Sequence, residues 1–221
     1  MFALDDDTVH LLFVTVPDEE LPHDILSDAE RARAERILHK PTRRAFIAMR
    51  SALRHSVASA LDINPSFQLA IDPMHKPYLA EHPEIHFNLS HSESVGLLGL
   101  TRGVSIGVDV EDTTRRVDFE ALIPRVARGP ERARLEEAAD EGHRRELFFR
   151  LWTRKEAVMK AIGVGLGIDP RELEVSLGEQ AEVHVVPEEY AQRWVVHHVE
   201  PRAGVVGAVC YSGARRILTT S

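Results

Sequence analysis

The sequence has few of the features that identify secreted or membrane proteins. Its 221 residues include one cysteine, Cys210, so no internal disulfide can form. No apolar run is long enough to cross a bilayer, and the N-terminal sequence MFALDDDTVH has acidic residues where a signal peptide has basic ones. With 43% hydrophobic and 28% charged residues, the composition is typical of a globular protein. We therefore expect a cytoplasmic protein with no membrane partner.

An excess of positive charge is also missing. The chain has 35 acidic and 27 basic residues, a formal net charge of −8. Because a nucleic-acid-binding protein needs a basic face, we predict no nucleic-acid partner. The 12 histidines form no HExxH pattern and have no cysteine pairs beside them, which argues against protein-bound zinc. Cys210 lies in the apolar run VVGAVCY and is predicted to be a packing residue.

The hydrophobic pattern predicts an α+β fold with two similar halves. Residues 8–16 have the character of a buried strand, and Ser27 with Glu30 forms a capping-box pattern that predicts a helix over 28–39, interrupted at Pro41. Apolar residues at helical spacing predict a second helix over 43–61. Further strands are predicted near 67–71, 85–89, 95–100, 104–110, 173–177, 182–186, 193–199 and 204–211, and helices near 130–140 and 144–162. We predict halves at 1–103 and 104–221, each a small, mostly antiparallel sheet with covering helices.

Carboxylates are concentrated in the strand Ile-Gly-Val-Asp-Val-Glu at 106–111. Alternation along a strand places its apolar residues toward the core and Gly107, Asp109 and Glu111 on the other face. Gly107 is expected to let a ligand approach the backbone. Asp112 is predicted to form the turn that follows. The alternative is that Asp109 and Glu111 are the solvated face of an edge strand.

A second polar group lies on the predicted helix at 144–162. Trp152, Glu156 and Lys160 recur every four residues and form one stripe, with Lys155 beside it. Three clustered carboxylates would repel one another in a low-dielectric site, which favours a bound divalent cation; magnesium shared with a phosphorylated substrate fits best. The pattern predicts metal-assisted phosphoryl transfer. The alternative is that Glu156 and Lys160 form only an exposed ion pair.

Three glycines, Gly163, Gly165 and Gly167, follow this helix. Glycine spaced in this way predicts a backbone that turns tightly or admits a long ligand.

Three sequence blocks together resemble a known family. The run Phe87–Ser92 (FNLSHS), then IGVDVE at 106–111, then WTRKEAVMKAIGVGL at 152–166, resembles the signatures of the 4′-phosphopantetheinyl transferase superfamily, in its larger, pseudo-dimeric, surfactin-synthetase-activating-like type. His-Lys-Pro-Tyr at 75–78 is similar to that family's Gly-Lys-Pro element, with His75 at the glycine position. The resemblance implies two halves related by pseudo-two-fold symmetry and, because they are already fused, a monomer.

The resemblance also implies an activity. Such an enzyme transfers the 4′-phosphopantetheine arm of coenzyme A to a serine of an apo acyl or peptidyl carrier protein, with magnesium, and releases 3′,5′-adenosine bisphosphate. In the implied site Glu156 and Lys160 are catalytic, and Asp109, Glu111 and Glu156 hold the metal. The implied coenzyme A contacts are Arg33, Arg50, Lys76, Pro77, Ser90, His91, Asp109, Lys155 and Lys160, with Arg36 and Arg44 as rivals for the 3′-phosphate.

The partner and pathway are less defined by the sequence. Arg115, Arg116, Arg125 and Arg128 are candidates for docking an acidic carrier protein. Fatty acid, polyketide, nonribosomal peptide and siderophore assembly are all compatible with the sequence, and natural product biosynthesis is the expected setting. Two other functions stay open: another metal-dependent phosphodiesterase or nucleotidyl transferase, and a non-catalytic module that binds coenzyme A or a carrier protein.

Overall fold

The structure, a computed structural model, describes residues 4–19, 21–74, 76–164 and 167–220. The chain divides into two compact units. The first runs to Val104 and includes the segment from Arg215, and the second is Ser105–Ala214.

Strands and helices follow one another along the chain in the order expected of an α+β protein. The elements are β1 (Thr8–Thr15), α1 (Asp28–Arg36), α2 (Lys40–Leu61), β2 (Ala70–Ile71), β3 (Pro77–Tyr78), β4 (Ile85–Ser92), β5 (Val95–Arg102), β6 (Ile106–Asp112), α3 (Phe119–Val126), α4 (Gly129–Glu136), α5 (Glu141–Ile162), β7 (Glu174–Val175), β8 (Val183–Val185), β9 (Trp194–Arg202), β10 (Val205–Ser212) and β11 (Arg216–Thr220), with single 3₁₀ turns at Pro170–Glu172 and Glu188–Tyr190. The predicted α+β class is confirmed.

The main sheet of the first unit has the order β11-β1-β5-β4. Its β1, β5 and β4 pair antiparallel, while β11 pairs parallel to β1. Helix α2 packs on this sheet through Met49, Leu53 and Val57, which are fully buried against side chains of β4 and β5 such as Phe87 and Leu98. The short hairpin of β2 and β3 lies apart from that sheet.

The second unit has a three-stranded antiparallel sheet with the order β6-β10-β9. Helix α5 supplies much of its core. Val206, Ala208 and Cys210 of β10 lie in the same buried cluster as Ala157 and Val158 of α5. Cys210 is therefore a packing residue, as predicted, and its burial raises the pKa of the thiol.

Local sequence signals set several helix ends. Ser27 and Glu30 form the predicted capping box: the Glu30 amide donates to Ser27 Oγ at 3.3 Å, and the Ser27 amide donates to Glu30 Oε2 at 3.0 Å. The α1 helix ends at Arg36, before the predicted limit. Pro41 does not lie between two helices; it occupies the first turn of α2, where a missing amide N–H costs nothing.

The boundary between the halves needs one correction. The prediction assigned all of 104–221 to the second half, but β11 joins the sheet of the first unit, where Thr8 pairs with Arg216. The pattern Arg-Ile-Leu-Thr-Thr gave no strand prediction because it is short and its alternation is weak. Helix α3 was also missed, since Pro124 lies inside it.

Within the described part of the chain, no helix combines the length and apolar character needed to cross a membrane.

Candidate active site

Helix α5 lies directly on strand β6 at Gly107. A Cβ atom added to Gly107 would be 2.1 Å from the carbonyl oxygen of Ala157 and 2.3 Å from the amide nitrogen of Ala161. Only a residue with no side chain permits this contact of two backbones. The prediction that Gly107 admits a ligand is therefore wrong, because the helix occupies that space. The same contact brings the polar residues of β6 beside those of α5.

Asp109 and Lys160 form an ion pair across this contact. Lys160 Nζ donates to Asp109 Oδ1 at 2.7 Å and to the carbonyl oxygen of Val108 at 3.1 Å. The Asp109 side chain is 7% exposed and that of Lys160 is 25% exposed, so the pair is screened from water on the aspartate side only. Asp109 follows the alternation predicted for the strand, and Lys160 reaches it from the predicted helical stripe.

Glu156 lies in the same electrostatic environment. Burial raises the pKa of its carboxyl group, the negative charge of Asp109 raises the pKa further, and Lys160 opposes both effects. The structure thus brings together Asp109, Glu156 and Lys160. Two carboxylates and one ammonium group in a partly desolvated position can bind a cation or an oxyanion, and a carboxylate among them can accept a proton.

Glu111 has a different arrangement from the one predicted. It is on the same face of β6 as Asp109, but its Oε1 lies 3.1 Å from Nη2 of Arg115. Asp112 forms the predicted turn, since its Oδ1 accepts from the amide and hydroxyl of Thr114 at 2.8 and 2.6 Å. The turn directs Arg115 back to Glu111.

Lys155 is buried among protein acceptors, which contradicts its predicted role in coenzyme A binding. Its side chain is 1% exposed. The ammonium group donates to Glu131 Oε2 at 2.7 Å, to the carbonyl of Val126 at 2.8 Å, and to those of Pro170 and Leu173 at 2.9 Å. With these acceptors around a buried ammonium group, none of its donors is directed toward substrate. Lys155 instead ties α3, α4 and the 3₁₀ turn to α5, next to Glu156.

The metal prediction can be tested against these side chains. Among the described residues, no three histidine, cysteine, aspartate or glutamate side chains form a ready-made metal group. Magnesium, however, commonly takes one or two carboxylates and completes its coordination with phosphate and water. Asp109 and Glu156 fit that requirement: burial and then the negative charge of Asp109 raise the pKa of Glu156, and a bound cation would favour the charged form of both carboxylates.

A separate pocket in the first unit collects three of the predicted coenzyme A residues. Arg33, Arg50 and Pro77 line a cavity of about 220 Å³, together with the rival Arg36. Phe46 is on its wall, and the guanidinium groups of Arg33 and Arg50 lie 5.3 and 5.5 Å from the centre of that ring. The remaining lining residues are Ser27, Ala29, Glu30, Gln68, Leu69 and Ile71. Arg44 does not line this pocket.

Arg50 has unused hydrogen-bonding capacity at this pocket. Its Nη1 is buried and has no hydrogen-bond partner among the described residues, while its Nε lies 3.9 Å from Glu30 Oε1. Burial lowers the pKa of Arg50, and the Glu30 charge opposes that effect. A buried guanidinium with an unsatisfied donor is unfavourable, and an anion bound in the pocket would supply the missing hydrogen-bond acceptor.

Lys76 lies on the neighbouring cavity of about 210 Å³, and Pro77 lines both cavities. Burial lowers the pKa of Lys76, with Asp72 opposing. His86 lines the same cavity, and its pKa is lowered by burial and by the Lys76 charge. His75 lies outside the described residues.

Ser90 and His91, two of the implied coenzyme A contacts, lie on opposite faces of a strand. They are consecutive in β4, so their side chains point to opposite faces of the sheet. Ser90 is buried, whereas His91 is exposed. His91 pairs with Gly96 of β5, which Met49 of α2 contacts, so His91 shares the face of the sheet that α2 covers.

The glycines after α5 are only partly described. Gly163 ends the helix with a φ of 91°, a left-handed conformation that favours glycine, and its amide donates to the Met159 carbonyl at 3.0 Å. Gly165 lies outside the described residues, and Gly167 has no positive φ.

Sequence reasoning missed two contributors to these sites. Glu30 was identified only as a helix cap, and the sequence has no signal for its position beside Arg50. Arg145 was not identified at all, because one arginine on a highly charged helix is indistinguishable from a solvated one. In the structure its Nε donates to the carbonyl of Thr113 at 2.6 Å and fixes the turn after β6.

Comparison with known proteins gives a family for this chain. Residues 105–210 match the family model described as the 4′-phosphopantetheinyl transferase superfamily. The chain is 31% identical over 217 residues to the 4′-phosphopantetheinyl transferase HetI of Nostoc sp., covering 94% of this chain and 89% of that protein. It is 37% identical over 145 residues to a putative 4′-phosphopantetheinyl transferase of Synechocystis sp., covering 64% of this chain and 58% of that one.

The match to several relatives is partial. For the Synechocystis protein and for the mammalian relatives, the chain spans about half of their length. Among solved structures, the holo-[acyl-carrier-protein] synthase of Thermotoga maritima is 23% identical, with a TM-score of 0.42, covering 51% of this chain and 65% of that chain.

Asp109, Glu156 and Lys160 lie in the two sequence blocks of this chain, 106–111 and 152–166, that resemble the family signatures. Because the alignment with the Nostoc transferase also covers nearly the whole of both chains, this chain belongs to the 4′-phosphopantetheinyl transferase superfamily.

Proposed function

We propose that this protein transfers the 4′-phosphopantetheine arm of coenzyme A to a serine of an apo acyl or peptidyl carrier protein and releases 3′,5′-adenosine bisphosphate. The observation that carries the proposal is the convergence of Asp109, Glu156 and Lys160 in the second unit. These groups can bind a diphosphate, neutralise its charge and accept a proton, which are the requirements of this reaction. Family membership supplies the specific acceptor and donor.

The two ends of coenzyme A have separate chemical requirements. The first unit offers a pocket with Phe46 on its wall and the guanidinium groups of Arg33 and Arg50 at its edge. An aromatic wall suits adenine, and a buried arginine with an unsatisfied donor suits the 3′-phosphate. Lys76 and Pro77 extend this surface, and His91 is a further candidate. We assign the adenosine 3′-phosphate end to these residues and the diphosphate to the second unit.

A magnesium ion is part of the proposal. Asp109 and Glu156 would hold it, and when bound it would withdraw charge from the phosphorus and stabilise the leaving group. Lys160 donates to Asp109 in the protein alone. We assign it the contact to a phosphate oxygen of the substrate or leaving group.

Glu156 is the proposed proton acceptor for the attacking serine. The serine oxygen forms a bond to the β-phosphorus, the bond from that phosphorus to the bridging oxygen breaks, and the serine proton passes to Glu156 directly or through water. Its raised pKa makes Glu156 a stronger base than an exposed glutamate.

Three parts of the proposal concern organisation and partners. The pseudo-two-fold kinship of the halves is supported by their common plan, since each unit has one 22-residue helix, α2 or α5, packed on its sheet.

For docking of the carrier protein, the exposed Arg116 and Arg125 are better candidates than Arg115 and Arg128. Arg115 pairs with Glu111, and Nε of Arg128 lies 3.6 Å from Oε2 of Glu174. A cytoplasmic monomer remains part of the proposal.

One experiment tests this function. The protein is incubated with coenzyme A, magnesium chloride and an apo-carrier protein, and the carrier is then weighed by intact mass spectrometry. A carrier heavier by one phosphopantetheinyl group supports the proposal. Hydrolysis of coenzyme A with an unmodified carrier would indicate a phosphodiesterase or nucleotidyl transferase, and binding with neither product would indicate a non-catalytic module.

A further inference from the structure

The turn after β6 is fixed from three directions. Asp112 closes it through its side chain, and the amide and hydroxyl of Thr113 both donate to the carbonyl of Gly204, at 2.8 and 3.0 Å. Arg145 of α5 donates to the carbonyls of Thr113 and Arg115. These bonds hold the backbone of residue 115 at a fixed distance from the end of β6.

An aromatic ring completes the support for Arg115. The guanidinium groups of Arg115 and Arg145 lie 5.6 and 5.2 Å from the centre of the Phe149 ring, and Arg145 also lies 5.4 Å from that of Phe119. Phe149 is fully buried, so its ring is held by the core and gives the two guanidinium groups a cation–π contact. The Arg115 side chain is therefore placed on Glu111 by the fold rather than by chance contact on an exposed surface.

The consequence for Glu111 is electrostatic. Its side chain is 12% exposed, and its Oε1 lies 3.1 Å from Nη2 of the Arg115 guanidinium. Two residues away, Asp109 is paired with Lys160 at 2.7 Å. In the protein alone, Asp109 and Glu111, the two carboxylates on this face of β6, are therefore each paired with a cationic side chain of the protein. An added cation must compete with Arg115 for Glu111.

We propose that Arg115 is a positioning residue that withholds Glu111 from a divalent cation until an anionic diphosphate is bound. The inference rests on the proposed metal-dependent transfer and adds to it an order of binding. A diphosphate brings negative charge that attracts the guanidinium of Arg115 and releases Glu111 to the cation. Cation and diphosphate then bind with positive coupling, and each strengthens the binding of the other by the same factor.

The test measures manganese binding by the loss of the free Mn²⁺ signal in electron paramagnetic resonance, without any turnover. Arg115→Gln should bind Mn²⁺ about tenfold or more tightly than wild type in the absence of coenzyme A, because one positive charge next to the site is gone. Addition of coenzyme A should tighten Mn²⁺ binding in wild type and do so much less in Arg115→Gln.

Two further variants separate a direct effect from a general change of charge. Arg116→Gln removes the same charge one residue further along, from an exposed side chain, and should bind Mn²⁺ within about twofold of wild type, since an exposed charge is screened by solvent. The double variant Glu111→Gln/Arg115→Gln should return to an affinity close to wild type, because the gain acts through Glu111. Thermal melts establish that each variant is folded, and Arg115→Lys, which keeps the charge, should remain close to wild type.

The proposal is overturned if Arg115→Gln and wild type bind Mn²⁺ equally without coenzyme A, including the case in which neither binds. It is also overturned if the double variant keeps the full gain in affinity. The mass assay for carrier modification is independent: transfer by wild type together with unchanged Mn²⁺ binding in Arg115→Gln would remove this inference and leave the proposed function intact. If the expected Mn²⁺ changes are seen but the carrier is not modified, the proposed function is removed and the inference about Mn²⁺ binding stands.

Discussion

Gly107 of β6 and Ala157 of α5 are in backbone contact, and a Cβ atom on residue 107 would lie 2.1 Å from the Ala157 carbonyl oxygen. Both backbones belong to packed elements, since α5 supplies much of the core of the second unit and Ile106–Glu111 of β6 are buried. The contact determines how far Asp109 is from Lys160 and Glu156. The site therefore depends on Gly107, a residue that has no side chain and takes no part in the reaction.

Gly107→Ala is expected to lower the free energy of unfolding by about 1–3 kcal/mol or more, since overpacking against backbone cannot be relieved by a rotamer change. Denaturant unfolding measures the change. Gly129→Ala is the matched control, because a Cβ there meets nothing within 4 Å and the residue has no positive φ. Equal stability of the two variants would show that α5 and β6 are further apart than the structure has them.

Glu156→Gln should abolish transfer to the carrier while the protein stays folded. Loss of a proton acceptor typically costs about 10²–10⁴-fold in rate, which a single-turnover mass assay can measure. Glu146→Gln, on the same helix but about half exposed and paired with Arg150, should keep its activity. Transfer at the wild-type rate by Glu156→Gln would remove this residue from the mechanism.

The pH dependence of Glu156 has a defined sign. Because the pKa of Glu156 is raised in the folded protein, its carboxyl group loses its proton at a higher pH than an exposed glutamate does. The rate of transfer should therefore rise with pH as Glu156 loses its proton. In stability, a raised carboxyl pKa favours the folded state below the unfolded pKa, and this contribution is lost as the pH rises through the folded value. Glu156→Gln should therefore melt at the same or a higher temperature than wild type at neutral pH.

Lys155→Met should destabilise the protein strongly. Removing one partner of a buried ion pair leaves Glu131 uncompensated, which typically costs about 3–5 kcal/mol. Arg171→Gln is the comparison: its pair with Asp169 is exposed, and its loss should have little effect on the midpoint of denaturant unfolding. If Lys155→Met instead had wild-type stability and impaired only coenzyme A binding, the corrected structural role would be wrong and the original prediction right.

Arg50→Gln should weaken recognition of the 3′-phosphate. A hydrogen bond to a charged group contributes about 1.5–3 kcal/mol, so the KM for coenzyme A should rise about 10–150-fold. The KM for 3′-dephospho-coenzyme A should not change, because that substrate lacks the group in question. Arg44→Gln is the control, since Arg44 does not line the pocket and lies 3.8 Å from Asp18. An equal rise in KM for both substrates would show that Arg50 does not bind the 3′-phosphate.

Local sequence patterns were enough to predict most helices and strands and the residues of the site in the second unit. The capping box at Ser27, the alternation along 106–111 and the four-residue spacing of Trp152, Glu156 and Lys160 depend only on residues close in the chain. Local periodicity fixes which side chains share a face of a strand or helix. The predicted convergence of Asp109, Glu156 and Lys160 followed from those faces together with the family resemblance.

The neighbours of several predicted residues depend on how whole helices and strands pack. Lys155 is one position from Glu156, and the rotation of one helical residue turns its side chain from the site into the core. Gly107 meets a helix rather than a ligand, Glu111 meets Arg115, and β11 crosses to the sheet of the first unit. The contacts of Gly107 and of β11 join segments far apart in sequence. Glu111 and Arg115 are only four residues apart, but their pairing depends on the turn between them, which Arg145 of α5 holds. Local periodicity does not encode this packing of whole elements.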